Sequence, residues 1–351
     1  MLMRSKGSSR LSSSSSQWMK AIGIRSEKGE VTEEQVVAGS SDPSFTFTVR
    51  SKPIKIVVKN MISSVAFLAD GQQFLSGGKD GKIQCWQTKD GEEVGEPMDA
   101  GSSAVSCLAT SQDGKWIAAG METGGVFVWE NWKELGWFTC GERVSSVDIS
   151  SDGTKIAMTF KDGLDLRLFP YGEWLRRWTR DFHTVKFSPD GFLLAIGSEQ
   201  GDSSIYDIRG GKTCSISRIS IRSVSWVSDS KQLFVLSCDG NIHCLDAYSG
   251  ATLSQWSVHS NDNPTCHISL SSNGIFIAAS ANSSVSFWDT STHEKIGSVI
   301  HLPDSVNSMA ISPNNDLVIA GNSTILLWDL FNVFSTPSNR VSEPAILGLY
   351  S

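Results

Sequence analysis

One pattern recurs seven times along the chain, at a spacing of about forty residues. Each copy has a Val- or Ile-rich stretch, a turn made of Asp, Asn, Ser or Gly, a second apolar stretch, another tight turn and a strand that ends on a large apolar residue. The fourth copy shows the pattern in full, from Val185 through the turn at Asp190-Gly191 to Tyr206. A period of this length built only from strands is typical of the blades of a β-propeller.

Two positions in the pattern keep the same step along the chain. The second residue of the first turn recurs every 38 to 44 residues, at Gly71, Gly114, Gly153, Gly191, Ser230, Gly274 and Asn315. The residue that closes the third strand recurs every 37 to 43 residues, at Trp86, Trp129, Phe169, Tyr206, Leu245, Trp288 and Trp328. Because a single blade cannot bury both of its faces, the seven copies predict one closed ring. The expected fold is all-β, a seven-bladed β-propeller of four-stranded antiparallel blades.

The two ends of the repeat region complement each other. The last copy stops after Trp328-Asp329-Leu330, one strand short, and strand-like stretches at residues 45–49 and 54–58 precede the first copy. We therefore expect an N-terminal strand to supply the outer strand of the last blade and close the ring. Three regions follow: a disordered Ser-rich basic tail at residues 1–43, the propeller at residues 44–330 and a flexible C-terminal tail at residues 331–351.

Charge, hydropathy and cysteine usage narrow the class of protein. Residues 61–351 carry twenty Lys and Arg against thirty-two Asp and Glu, a net charge of −12 that disfavours nucleic-acid binding. No apolar run approaches the roughly 18 residues of a membrane span, so no membrane partner is expected. The seven Cys include no C-x-x-C pair, which predicts reduced thiols and a cytoplasmic or nuclear location. A mitochondrial transit peptide is disfavoured because the Ser run interrupts any amphipathic helix.

The repeats resemble those of the WD-repeat family. Trp-Asp pairs stand at Trp288-Asp289 and Trp328-Asp329, with a weaker copy at Tyr206-Asp207, and the resemblance covers residues 45–330. It implies a seven-bladed propeller that acts as an interaction platform. The family's Gly-His pair before the inner strand is absent, and His183 is its nearest equivalent. Without the hydrogen-bond network of that His, the blades are expected to depend more on packing.

Catalytic and metal-binding patterns are absent from the sequence. It has no nucleophile elbow, zinc-protease motif, phosphate-binding loop or dinucleotide fingerprint. The best metal candidates are His243-Cys244 and Cys266-His267, but neighbours on a strand point to opposite faces, so each pair offers one ligand at most. We predict no catalytic residues, metal or cofactor. A propeller-fold hydrolase is the alternative, although its polar candidates on the inner strands, Asp148 and His267, stand alone.

The loops that lead into the inner strands share one end of the predicted ring. They include cationic and aromatic residues on an otherwise acidic body, a combination that favours an acidic or phosphorylated protein segment as the ligand. The candidate contact residues are Arg143, Phe182, His183, Arg222 and His301. The predicted function is a non-catalytic protein–protein interaction scaffold that binds a protein or peptide segment on the propeller rim.

The outer strand of the third blade is a second candidate surface. Trp174, Arg176, Trp178 and Arg180 alternate along it, which predicts that they share one face. Interleaved Trp and Arg are typical of binding hot spots. The alternative is that the two Trp pack against the next blade and the Arg side chains cover them. The same question arises for two tryptophans of the second repeat, Trp132 and Trp137.

Residues 194–209 resemble the sixteen-residue box by which some WD-repeat proteins dock onto adaptors of cullin-type ubiquitin ligases. The box ends on Arg209, with Tyr206 in place of the usual Trp. This resemblance implies an alternative function as a substrate-recruiting subunit. No particular oligomeric state is predicted.

Overall fold

The structure is a computed structural model that describes residues 53–216, 218–258 and 267–330. The expectations for residues 1–43, 45–49 and 331–351 lie outside these ranges. The described residues form 28 strands in seven four-stranded antiparallel sheets, and they contain no α-helix. The predicted fold class, a seven-bladed β-propeller, is confirmed.

Each blade is named by its order in the chain, and its strands are given from the first to the outermost. Blades 1 and 2 consist of β2 (Ile62–Phe67), β3 (Gln73–Gly78), β4 (Lys82–Gln87) and β5 (Met98–Asp99), then β6 (Val105–Thr110), β7 (Trp116–Met121), β8 (Gly125–Glu130) and β9 (Lys133–Thr139). Blades 3 and 4 consist of β10 (Val144–Ile149), β11 (Lys155–Phe160), β12 (Gly163–Leu168) and β13 (Trp174–Trp178), then β14 (Thr184–Phe187), β15 (Leu193–Gly197), β16 (Ser204–Asp207) and β17 (Lys212–Ser215).

The remaining three blades complete the ring. Blades 5 and 6 consist of β18 (Ile221–Trp226), β19 (Gln232–Ser237), β20 (Asn241–Asp246) and β21 (Thr252–Ser257), then β22 (Ile268–Leu270), β23 (Phe276–Ala281), β24 (Ser284–Asp289) and β25 (Lys295–His301). Blade 7 consists of β26 (Ser308–Ile311), β27 (Asp316–Ala320), β28 (Thr324–Asp329) and, as its outer strand, β1 (Ile54–Val57).

The N-terminal strand closes the ring as the sequence predicted. β1 pairs antiparallel with β28, with Ile54 opposite Leu327 and Val57 opposite Thr324. The first strand of each blade contacts the first strand of the next, and β26 contacts β2. This cycle of contacts places the first strands at the centre of the ring and the fourth strands on its outside.

The first turn of every blade has the backbone conformation that its residue type predicts. The second turn residue has a φ between 60° and 74° in all seven blades. Gly tolerates this region without a steric penalty, and Ser230 and Asn315 adopt it in blades 5 and 7. In blades 2, 3, 4, 6 and 7 a Ser before the turn also accepts the backbone N–H that begins the second strand, as Ser111 does from Trp116 at 2.9 Å.

Hydrogen bonds between side chain and backbone join the inner strands of neighbouring blades. Ser308 Oγ of blade 7 accepts the Val65 N–H of blade 1 at 3.1 Å, and Asp148 of blade 3 accepts the Phe187 N–H of blade 4 at 2.8 Å. The other five boundaries have an equivalent bond, made by Ser64, Ser106, Trp226, Ser223 and Ser269. The blades were expected to depend more on packing without the network of the family's His, and these bonds add a polar contact at every boundary.

The apolar core is divided among the seven boundaries between blades. Each cluster combines the second and third strands of one blade with the first strands of a neighbour. The closing residue of a third strand faces the preceding blade, as Trp129 does in the cluster between blades 1 and 2 and Trp328 in the cluster between blades 6 and 7. Burial of these apolar surfaces is the main term that holds the ring together.

Blade 3 departs from this scheme at its closing position. The register places Arg167 opposite Ile156, where the equivalent pairs are Ile117 with Trp129 and Leu317 with Trp328. The assignment of Phe169 to this position was therefore wrong, since Phe169 follows the end of β12. The error has a physical reason: Phe169 is itself buried in the same boundary and packs edge-on against Trp116, with ring centroids 4.8 Å apart. With Arg167 as the closing residue, the steps from Trp129 and to Tyr206 are 38 and 39 residues. Both steps fall within the 38 to 44 residues that separate the equivalent turns, whereas the step of 37 residues from Phe169 to Tyr206 does not.

Candidate protein-binding surface

The loops that enter the inner strands present only part of the predicted contact set. Arg143 and His183 are exposed. Phe182 is only 3% exposed and packs with Val185 and Leu164 in the core between blades 3 and 4, so its prediction as a contact residue was wrong. A large aromatic residue beside a blade boundary gains more from that core than from solvent.

The other two predicted loop residues belong to blades 5 and 6 and differ in exposure. Arg222 is the second residue of the inner strand of blade 5 and is half-buried, with Nε 3.3 Å from Cys238 Sγ and 3.5 Å from the Glu199 carboxylate. His301 ends the outer strand of blade 6, where it is exposed and opposite Ser284. The parts of the loops at Ser217 and at residues 259–263 lie outside the described ranges. Arg143, His183 and His301 therefore stay predicted contacts, and Arg222 is only partly accessible.

The outer strand of blade 3 does not place its Trp and Arg side chains on one face. β12 pairs with β13 through Arg167 opposite Trp174 and Leu166 opposite Arg176, and the register shifts between the two pairs. Leu175 is thus the extra residue of a β-bulge, which reverses the alternation after Trp174. Trp174 and Arg177 face blade 2, whereas Arg176 and Trp178 face blade 4. The prediction of one common face was wrong because a sequence does not reveal the bulge.

On the blade 2 side, a buried ion pair supports an exposed tryptophan. Asp165 and Arg167 are 0% and 4% exposed, and Arg167 Nη2 lies 2.7 Å from Asp165 Oδ2. The guanidinium of Arg167 also lies 4.0 Å from the Trp174 ring and 5.0 Å from the Phe138 ring of blade 2. Arg177 approaches from the outside, with Nε 3.1 Å from Asp165 Oδ1 and its guanidinium 4.7 Å from the Trp174 ring.

The buried polar atoms of Asp165 and Arg167 are only partly compensated by hydrogen bonds and opposite charges. Burial raises the pKa of Asp165, although the hydrogen bond from Arg167 and the charges of Arg167 and Arg177 act in the opposite direction. Arg167 Nε is buried and has no hydrogen-bond partner, although Nη2 also donates to the Thr139 carbonyl at 3.3 Å. Such a group is held in place by its geometry, at a cost in stability relative to an apolar pair.

On the blade 4 side, Arg176 stacks on two aromatic rings. Its guanidinium lies 4.9 Å from Trp178 and 4.8 Å from Tyr206, and its Nη1 donates to the Tyr206 hydroxyl at 3.2 Å. Trp178 meets Tyr206 edge-on at 5.0 Å. For Trp178 the structural alternative therefore holds: the ring packs against the next blade and an Arg covers it. Arg180 follows the end of β13 and pairs with Asp202 at 2.9 Å.

Large exposed apolar side chains concentrate on blades 2 and 3. Trp137 is 63% exposed, Trp174 53% and Tyr171 89%. Three further side chains of these outer strands and their turns are also exposed, namely Trp132, Leu135 and Leu175. We call the six together the blade 2–3 outer surface. Because exposed apolar area of this kind is uncommon away from interaction sites, it marks a candidate binding surface. The sequence singled out the three tryptophans, but Leu135, Tyr171 and Leu175 carried no recognisable signal.

The turn after the third strand of blade 4 presents Arg209. Its guanidinium lies 4.1 Å above the exposed Phe192 ring, and Nε is 3.7 Å from the Asp207 carboxylate. Asp207 accepts the backbone N–H groups of Arg209 and Gly210 at 2.9 and 3.1 Å, and the bond from Gly210 is the main cause that lowers its pKa. Asp207 therefore fixes the turn, and Arg209 stays exposed on it.

Asp148, considered for catalysis, and His243, considered as a metal ligand, have structural partners. Asp148 accepts a bond from Lys186 Nζ at 2.8 Å in addition to the Phe187 N–H. His243 lies 3.3 Å from Ser237 Oγ, and burial lowers its pKa. Within residues 53–216, 218–258 and 267–330, no three His, Cys, Asp or Glu are grouped so as to hold a metal ion. Cys266 lies outside those ranges.

The thiols and the hydropathy of the described chain add two facts. Burial raises the pKa of Cys107 to about 12 and those of Cys85 and Cys244 to about 11, so these thiols stay protonated near neutral pH. In the part of the chain that the structure describes, no helix is long and apolar enough to cross a membrane.

Comparison with known proteins finds two family models that are similar to parts of the chain. The model for the WD domain, G-beta repeat, matches residues 52–87, 95–130 and 295–329, and the model for the anaphase-promoting complex subunit 4 WD40 domain matches residues 215–273. Residues 131–214, which include the outer strand of blade 2, all of blade 3 and blade 4 except Ser215, lie outside these matched segments.

Curated relatives agree with the family models. WD repeat-containing protein 1 of Gallus gallus is 29% identical over 215 residues, which cover 56% of this chain and 35% of that protein. The pre-rRNA-processing protein crb3/ipi3 of Schizosaccharomyces pombe is 24% identical over 238 residues, which cover 68% and 40%. The matches thus span about a third of the length of these relatives. The seven blades form a β-propeller, and the matched segments and the relatives show that its repeats are similar to those of WD-repeat proteins.

Proposed function

We propose that this protein is a non-catalytic scaffold that binds a segment of another protein on the blade 2–3 outer surface. The observation that carries the proposal is the exposure of Trp137 and Trp174 on neighbouring outer strands. Tryptophan side chains are enriched at the centres of protein interfaces because they bury a large area and lose little rotamer entropy. Trp137 lies opposite Phe127 on the side of blade 2 that faces blade 1, and Trp174 faces blade 2, so a partner must cross the outer edge of blade 2 to cover both rings. Such a partner gains the burial energy that the free protein leaves unused.

The frame behind these side chains is rigid enough to position them. Trp137 stacks on Phe127 at 6.3 Å, and Trp174 rests on the guanidinium of Arg167. Because Arg167 also contacts Phe138 of blade 2, it joins the outer parts of the two blades. Side chains that are already ordered lose less entropy on binding, which favours affinity.

The loops that enter the inner strands support the proposal less well. Phe182 is in the core, and Arg222 is held beside Glu199 and Cys238. Arg143, His183 and His301 stay exposed and remain predicted contacts for a second segment of the same partner. WD-repeat propellers generally act as non-catalytic interaction platforms, and the predicted cytoplasmic or nuclear location is part of this proposal.

Affinity capture with matched variants tests the surface. We compare wild type, the double variant Trp137→Ser with Trp174→Ser, and a control that removes similarly exposed apolar groups from blade 5, Tyr248→Ser with Leu253→Ser. Proteins recovered by wild type and by the control but lost from the Trp double variant support the surface. Equal recovery by all three proteins, with unchanged melting temperatures, would overturn it.

A second candidate function rests on Arg209. Its exposure on a turn that Asp207 fixes favours recruitment of substrates to a cullin-type ubiquitin ligase. Arg209→Ala should abolish recovery of a cullin adaptor, whereas Lys212→Ala in the same hairpin should not. Recovery that Arg209→Ala leaves unchanged, or an adaptor that is absent from the wild-type sample, rejects this function.

A further inference from the structure

We propose that the segment bound by the blade 2–3 outer surface is an acidic peptide with carboxylates at consecutive positions, held by Arg176 and Arg177 of β13. This inference rests on the proposed function and adds the chemistry of the partner. Its basis is the placement of two exposed guanidiniums, fixed against aromatic rings, beside Trp174 and Leu175.

The charge of blade 3 differs from that of the ring around it. Residues 163–181 carry four Arg against three acidic residues, while residues 61–351 have a net charge of −12. Of the three acids, Asp165 is buried, and Glu173 and Asp181 lie before and after the strand. The middle of β13 is therefore locally positive. Among the seven outer strands of the described ring, it alone has two Arg.

The two arginines are positioned before any ligand arrives. Arg176 stacks on Trp178 and Tyr206, and Arg177 is held by Asp165 and Trp174. Arg177 uses only Nε for its ion pair with Asp165, and the Arg177 side chain is 42% exposed. A guanidinium has five N–H donors in all. Donors therefore remain for a ligand carboxylate, and little side-chain entropy is lost when it binds.

The position of β13 in its sheet suggests how the peptide lies. β13 is the last strand of the order β10-β11-β12-β13, so its outer edge is open to an added strand. Exposed edges are commonly protected by charged side chains. Here the charges stand beside Trp174 and Leu175, which remain exposed on one side of the two Arg and would favour an apolar residue next to the acids.

The opposite orientation of the two arginines selects carboxylates rather than one phosphate. Arg176 faces blade 4 and Arg177 faces blade 2, so the two guanidiniums cannot converge on a single group. Consecutive residues of an added strand also point to opposite faces. Two neighbouring Glu or Asp side chains therefore match Arg176 and Arg177 one to one.

The charge of the whole ring argues against a long polyanion. At physiological ionic strength the Debye length is about 8 Å, so a short peptide senses mainly the local charge of β13. A nucleic acid or an anionic membrane extends over many such lengths and would meet the acidic remainder of the ring. A short acidic segment avoids that repulsion.

Fluorescence anisotropy with labelled peptides tests the inference. The probe has the core Val-Glu-Glu-Val, and the comparison peptides replace the two Glu with Gln, with Lys, or with one phosphoserine and one Gln. We expect wild type to bind the Glu peptide at least about tenfold more tightly than the other three. The variant Arg176→Gln with Arg177→Gln should lose that preference. The control Lys212→Gln with Lys231→Gln, which removes two exposed charges elsewhere, should keep it.

Several outcomes would overturn the inference. They are equal binding of the Glu and Gln peptides, preference for the phosphoserine peptide, tighter binding of a short DNA duplex or of phosphatidylserine vesicles, and no binding at all. The conservative variant Arg176→Lys with Arg177→Lys separates charge from stacking, and retained binding by it would show that charge alone suffices. If the Gln peptide binds and Trp137→Ser with Trp174→Ser abolishes that binding, the proposed surface survives and only its acidic specificity is wrong.

Discussion

Blades 3 and 7 build the same strand position from opposite chemistry. In blade 7, Trp328 closes the third strand and Leu326 stands two residues earlier, within an apolar cluster that includes Phe276 and Phe287. In blade 3 the equivalent residues are Arg167 and Asp165, and burial raises the pKa of that aspartate. Blade 7 matches the family model, whereas blade 3 lies outside the matched segments.

Blade 7 closes the ring, whereas blade 3 carries part of the proposed blade 2–3 outer surface, and this contrast accounts for their different residues. Blade 7 must hold β1 and complete the circle, so its boundary is packed with apolar side chains. Blade 3 has a charged pair that keeps Trp174 and Arg177 ordered on the outside. A buried ion pair contributes little net stability, so its retention at this position favours a role in positioning.

The largest expected effect comes from breaking the pair in blade 3. Asp165→Ala leaves Arg167 buried without its partner and should lower the free energy of unfolding by about 3–5 kcal/mol. Chemical denaturation measures it. The control Asp181→Ala removes the same charge from an exposed position and should change stability by less than about 0.5 kcal/mol. Equal stability of the two variants would mean that the pair does not hold the blade.

The pH dependence of the free energy of unfolding tests a partly buried group outside blades 3 and 7, namely His267 of blade 6. Burial lowers the pKa of His267 in blade 6 to about 4, although a hydrogen bond with the Asn307 backbone acts against this. The unfolded state binds a proton near pH 6.5 and the folded state does not, so stability is lost as pH falls from about 6.5 to about 4. The loss is up to about 3 kcal/mol. It should be absent in His267→Gln, and its persistence in that variant would assign it to other groups.

The next expected effect is a recovery of stability when the two charged residues of blade 3 are replaced by the apolar residue types found in blade 7. Asp165→Leu with Arg167→Trp should return the free energy of unfolding to within about 1 kcal/mol of wild type, or above it. The same double variant should weaken binding of the Glu peptide, because Trp174 and Arg177 lose the groups that order them. A variant as unstable as Asp165→Ala would show that blade 3 cannot accept an apolar closing pair.

The smallest effect on stability is expected on the proposed surface itself. Trp174→Ser removes a ring that is about half exposed, so the melting temperature should change by only about a degree or two, within about 0.5 kcal/mol. Partner recovery should fall nevertheless. A large loss of stability would assign Trp174 to the core of blade 3 and remove the main support for the surface.

The ring was predictable because its signals are local and repeated. Gly71 and its six equivalents have a positive φ at a nearly constant step, and the missing strand of blade 7 is supplied by β1, before blade 1. The binding surface was less predictable. The bulge at Leu175 depends on pairing with β12, and the burial of Phe182 depends on contact with a neighbouring blade.

Blade 3 also shows where a repeat pattern misleads. Phe169 satisfied the expected residue type, but the register gives its position to Arg167. A charged residue at a core position cannot be recognised from the pattern while an aromatic residue stands two positions later. The exception became visible only when the strands were paired, and it lies beside the exposed Trp174.

Hydrogen–deuterium exchange with and without the captured partner tests most directly whether blade 3 is a binding blade. We expect slower amide exchange in residues 174–178 of blade 3 and 133–139 of blade 2 when the partner is bound, with no change in residues 324–329 of blade 7. Slower exchange confined to the loops around Arg143, His183 and His301, with blades 2 and 3 unchanged, would contradict it.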